Sequence, residues 1–159
     1  MRVLFPAAVV LVPLVGAACG GDSGESRLRT ERWIEDADEI CEDENLALTE
    51  LEAPDVDPFD ESLTAAQLDE VATYLERSLE IQAEMTERLD DLGLPANDPD
   101  EIEDVLEQRE RGQALVENAI DAAREGDGEQ FVLRYRRAVN EYSKASQGAH
   151  EFGLEECGQ

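Results

Sequence analysis

Three cysteines, one histidine and a few polar residues at inward-facing helical positions carry what chemistry this 159-residue chain offers. The single histidine, His150, is the tightest constraint. Nucleophilic catalysis by serine or cysteine pairs the nucleophile with a base, and here one histidine would have to serve every such scheme. Ser78 has no histidine near it in sequence, and His150 beside Glu151 reads as a surface pair. A di-iron bundle needs Glu-x-x-His on facing helices, but Gln147 stands three residues before His150. The chain holds no haem-attachment pair, no glycine-rich phosphate loop and no histidine-bearing zinc motif, so no cofactor and no enzymatic activity are expected. Asp55-x-Asp57-x-x-Asp60 gathers three carboxylates but lacks the glycine and distal glutamate of a calcium loop, and no metal site is expected.

A second group is defined by helical phase. Glu44 falls on the apolar seam of the first helix whether that helix is phased through Ile34-Ala37-Cys41 or Trp33-Ala37-Ile40. Arg109 falls on the seam of the third helix through Val105 or Leu106, and Ser78 and Gln82 lie on that of the second. All four sit near mid-helix, with Tyr142 able to approach from the fourth helix. A buried charge must be paired, so Glu44 and Arg109 are expected to meet with hydrogen-bonding neighbours. Two readings follow: a structural layer fixing helix register, or a small polar pocket inside a ligand-binding or sensor-like domain.

The elements that must position these groups are four long helices, an all-α fold. The first runs from about Leu28 to Ala53 and stops at Pro54; Pro54-Asp55-Val56-Asp57-Pro58 opens a loop. Thr64, with Gln67 three residues later, caps the second, whose ladder is Leu68, Val71, Leu75, Ser78, Gln82, Met85, Leu89 and Leu92 before a left-handed Gly93. Asp98-Pro99-Asp100-Glu101 supplies an acceptor cap, a first-turn proline and acids at the positive end of the third. Asp127 starts the fourth, which runs through Phe131, Tyr135, Ala138, Tyr142, Ala145, Ala149 and Phe152 to Gly153. At about 40 Å each, and with short connections, these helices form an up-down-up-down four-helix bundle. Its topology puts the start of helix one and the end of helix four at one end. Cys41 and Cys157 can then meet if Gly153–Cys157 folds back, and a disulfide closing the bundle is expected. A metal site is the alternative for this pair, with only His150 as a further ligand.

The third cysteine follows a different segment. Met1–Ala18 has one basic residue (Arg2), an apolar run over 3–15 and then Gly16-Ala17-Ala18, the layout of a secretory leader. Val15-Gly16-Ala17-Ala18-Cys19 resembles the bacterial lipoprotein lipobox, with Gly16 where a larger aliphatic is commoner. That resemblance implies cleavage before Cys19 and a diacylglycerol on its thiol. Two acyl chains make a stable anchor. The expected organisation is a lipoprotein signal peptide at 1–18, a tether at 19–27 and the bundle at 28–159. Gly20–Ser26 has no apolar residue and is expected to be a flexible leash holding the domain roughly 15 Å from the membrane.

Loss of the leader leaves 12 basic against 40 acidic side chains. A net charge of −28 repels nucleic acid and anionic lipid alike, and leaves a basic envelope protein or peptide, or divalent ions, as partners compatible with this surface. Lys144 is the only lysine, a composition that points to a GC-rich genome. The neighbourhoods Ala37–Asn45 around Cys41 and Phe152–Gly158 around Cys157 resemble those of small, uncharacterised actinobacterial exported proteins and lipoproteins. The resemblance implies a helical, disulfide-closed exported domain and no particular activity. The expectation is a non-enzymatic interaction or structural module, lipid-anchored on the extracytoplasmic face of the cell membrane.

Overall fold

A computed structural model describes residues 22–158, which form four helices: α1 (Asp22–Glu50), α2 (Ala65–Leu92), α3 (Pro99–Arg124) and α4 (Gly128–Phe152). The expected leader 1–18 and Cys19 lie outside the described residues. Contacts between helices fix the up-down-up-down order. Trp33 near the start of α1 donates its indole N–H to the Gly93 carbonyl just past the end of α2, at 2.7 Å. Arg124 at the end of α3 pairs with Asp69 and Glu76 in the first half of α2. Phe152 at the end of α4 meets the Trp33 ring edge-on, 5.9 Å between centroids.

The end signals act largely as their residue types require. Thr64 and Gln67 make a reciprocal capping box, and Asp127 accepts from the Gln130 N–H at 3.0 Å. Pro99 occupies the first turn of α3, but Asp98 makes no side-chain cap and instead takes a left-handed backbone itself (φ 51°). Gly93 has positive φ with an extended ψ of −170°, so it is not the left-handed residue expected there; Gly153 (φ 108°, ψ 14°) is.

The tether is the main correction. Helix α1 begins at Asp22, so 22–27 are helical and not a leash. Lack of apolar residues excludes packing, but adding turns to an existing helix costs little once it is nucleated. Arg27 and Glu31 pair across one turn (3.3 Å), Ser26 donates to the Asn97 side chain, and Thr30 Oγ1 accepts the Asn97 N–H at 3.1 Å. At its other end α1 stops at Glu50, where the residues before Pro54 are steered away from helix.

Two apolar clusters fill the bundle. One holds Trp33, Ala37, Ile40, Met85, Leu89, Ile102, Val105, Ala145, Ala149 and Leu154 around the cysteines. The other holds Leu68, Val71, Leu75, Val116, Ile120, Phe131, Val132 and Ala138 at the far end, with Val56 and Leu63 from the α1–α2 connection packed on it. Helices α3 and α4 approach closely along small residues. A Cβ added at Gly148 would lie 2.9 Å from Val105 Cγ2.

Candidate functional site

Between the two clusters every helix contributes a polar side chain, among them Glu44 from α1, Gln82 from α2, Arg109 from α3 and Tyr142 from α4. Arg109 Nη2 donates to both carboxylate oxygens of Glu44, at 2.8 and 3.0 Å. The Glu44 side chain is 5% exposed and that of Arg109 13%, so this is a buried ion pair. Burial pushes the Glu44 carboxyl above its ordinary range, against the opposing pull of Arg109. Arg109 Nε and the neighbouring Gln108 Oε1 are buried without a hydrogen-bond partner among the described residues.

Tyr142 donates its hydroxyl to Gln82 Oε1 at 2.5 Å. Its acidity falls through burial, partly offset by Arg109 and reinforced by Glu44. The Tyr142 ring lies against α3 at Gly112, where a Cβ would come within 3.1 Å of it. Beside this contact Gln113 Nε2 donates to Thr86 Oγ1 (3.3 Å), whose own hydroxyl donates to the Gln82 carbonyl (2.9 Å). The layer is therefore tied across all four helices.

Of the four residues expected to line a pocket, the structure joins Glu44 to Arg109 and places Gln82 beside them through Tyr142. Ser78 is buried but donates to the Tyr74 carbonyl one turn back in its own helix, at 3.1 Å. The hollow that reaches Arg109 has a volume of about 20 Å3 and is otherwise lined by apolar residues and the cysteines. Larger hollows lie elsewhere. One of about 630 Å3 runs between Leu51–Asp55 and the Asp69–Arg77 face of α2, and one of about 490 Å3 crosses α3 and α4 at Asp104, Gln108 and Gln147.

Cys41 and Cys157 are bonded, with Cα atoms 5.0 Å apart. The segment after α4 folds back as required, and the residue that turns it is Asp38. Its carboxylate accepts the N–H of Glu155 (3.1 Å) and of Glu156 (2.9 Å). Asn45 Nδ2 donates to the Glu156 carbonyl and Ser146 Oγ to that of Gly158, so the segment lies between α1 and α4. Asp38, Gly112 and Gly148 went unnoticed in the sequence. An isolated glycine inside a helical pattern is a signal of close approach, and both glycines carry it. Asp38 carried none among so many acids.

The remaining candidates are local. Asp57 accepts the Phe59 N–H (2.9 Å), and Asp60 accepts both the N–H and hydroxyl of Ser62 (2.8 and 2.7 Å). The Ser62 hydroxyl holds the Asp60 carboxyl below its usual range, helped by the Ser62 N–H. His150 is exposed, and Glu151 accepts from Gln147 at 2.8 Å.

Comparison with protein-family models, with curated proteins and with solved structures finds no match to this chain.

Proposed function

We propose that this chain is a lipoprotein, anchored through acyl chains on Cys19 to the extracytoplasmic face of a cell membrane, whose acidic bundle is a non-enzymatic interaction or structural module. The observation that carries the reading is the Cys41–Cys157 bond. A bonded pair belongs to an oxidising compartment, and it leaves Cys19, directly after an export-type leader, as the one cysteine for lipid. No helix among the described residues is long and apolar enough to cross a membrane. The surface charge favours a basic envelope protein or peptide as partner and disfavours nucleic acid.

The mid-bundle layer belongs to this reading as a register device. A buried ion pair that joins α1 to α3 penalises alignments in which either charge would lose its partner. The alternative, a small-ligand pocket at Glu44, Ser78, Gln82 and Arg109, has less support, because a hollow of about 20 Å3 has room for roughly one water. Intact mass of the protein extracted from membranes tests the assignment. Acyl mass on Cys19, lost with release of the protein in a Cys19→Ala variant, is expected. A membrane-extracted chain with an unmodified Cys19 thiol overturns it.

A further inference from the structure

The acidity of this molecule is not evenly spread. Residues 22–32 carry Arg27, Arg29 and Arg32 against Asp22, Glu25 and Glu31, so the first turns of α1 are neutral. Residues 33–159 carry 9 basic and 37 acidic side chains, which is the whole net charge. On the outer face of α1 the change is abrupt. Leu28, Arg29 and Arg32 share a face at helical spacing, and the same face continues as Glu35, Asp36, Glu39 and Asp43. Asn97 binds Ser26 and Thr30, so the α2–α3 turn lies level with these first turns. Its residues, Gly93-Leu94-Pro95-Ala96-Asn97, have no charge. Leu28 (62% exposed) and Leu94 (44%) are two of the most exposed large apolar side chains among the described residues, and both are at this tip.

We infer that this tip is a membrane-contact surface, seated in the phospholipid headgroup layer through Arg29, Arg32, Leu28 and Leu94. The inference rests on the lipid anchor at Cys19. Asp22, the first described residue of α1, follows Cys19 by three positions, so chain reach alone puts it within about 10 Å of the acylated residue. Leu28 is six residues farther, about 9 Å along the axis. No long leash stands the domain away from the lipid, and the tip is the part of the bundle presented to it. Arg27 is held by Glu31, whereas Arg29 and Arg32 are exposed and free of any ion pair among the described residues, and guanidinium matches the geometry of a headgroup phosphate. Asp90, Asp91, Asp98 and Asp100, all exposed, flank the turn in sequence as an acidic collar. An anionic bilayer repels that collar and the acidic length of α1, so the tip seats shallowly and the bundle stands outward.

The test uses the full lipidated protein in vesicles of phosphatidylcholine with phosphatidylglycerol. An environment-sensitive fluorophore is attached at Leu28→Cys, at Leu94→Cys and, as a control at the opposite end of the bundle, at Leu133→Cys, all exposed positions. Shielding of the first two labels from an aqueous quencher, with the third open, is expected. Each arginine near an anionic surface contributes about fivefold to the seating equilibrium constant, so Arg29→Gln with Arg32→Gln lowers that constant by about 25-fold, as does high salt in part. Vesicle flotation and acyl mass stay unchanged in that variant. If acyl mass is present and all three labels are equally open, the contact fails and the anchor stands. If no acyl mass is found, anchor and contact fall together.

Discussion

The two ends of the bundle hold their cores by different means. At the far end, Leu68, Val116, Ile120, Phe131 and Val132 come from α2, α3 and α4, helices consecutive in sequence and joined by short turns. Phe131 is fully buried and stacks on Tyr135 at 5.6 Å. At the near end the core depends on α1, whose partners there include the last described residues of the chain. Trp33 meets Phe152, Asp38 meets Glu155 and Glu156, and Cys41 is bonded to Cys157. Contacts between neighbours in sequence close at low entropic cost, whereas α1 can meet the final segment only by closing nearly the whole chain. The covalent bond sits where that cost is largest.

Removing the bond is the strongest way to break this comparison. On the chain-entropy model, a bridge spanning 116 residues stabilises by about 5 kcal/mol. A Cys41→Ser/Cys157→Ser variant is expected to lose hydrogen-exchange protection in α1 first, with α2–α4 retaining theirs. Uniform loss across all four helices would show that the two ends are one cooperative unit. Phe131→Ala attacks the opposite end and should cost about 4 kcal/mol in denaturant unfolding. With the bridge intact, its loss of protection is expected to begin in α2 and α4.

The layer between the ends gives the third test. Arg109→Met leaves Glu44 buried without its partner and should cost about 3 kcal/mol at neutral pH. Replacing both, Glu44→Leu with Arg109→Met, should recover most of that loss. A double variant no better than the single would mean that the pair itself, and not the stranded charge, sustains the fold.

The smallest effect is the pH dependence of the same carboxyl. Because Glu44 has its folded pKa raised, the folded state holds its proton more tightly than the unfolded state does. Its contribution to stability is fully present below the unfolded value near 4.5 and is lost as pH rises through the raised folded value. Thermal midpoints measured from pH 4.5 to 7 should therefore fall less steeply in Glu44→Gln than in the wild type.

Both cores were legible in the sequence because helical phase needs only residue types. The ladder Leu68, Val71, Leu75, Ser78, Met85, Leu89 is buried as spaced, and Glu44 and Arg109 meet because either phase of their helices turns them inward. What stayed hidden depended on geometry between elements. Ser78 had an acceptor in its own helix, a contact that competes with any pocket and leaves no trace in spacing. The start of α1 has no apolar signal, because Arg27–Glu31 and the contacts to Asn97 sustain helix there without a buried face. Asp38 was one acid among 40 until the returning segment gave it two N–H groups to accept.

The position of that returning segment also orders events in time. A chain made from its N-terminus presents Cys41 long before Cys157, and the partner thiol arrives only after all four helices have been synthesised. Throughout that interval the only other thiol in the chain is Cys19. In the proposed lipoprotein, acylation removes this competitor, so early attachment of lipid doubles as protection against the wrong bridge. The correct one then forms last, as a mark that the fourth helix has come home.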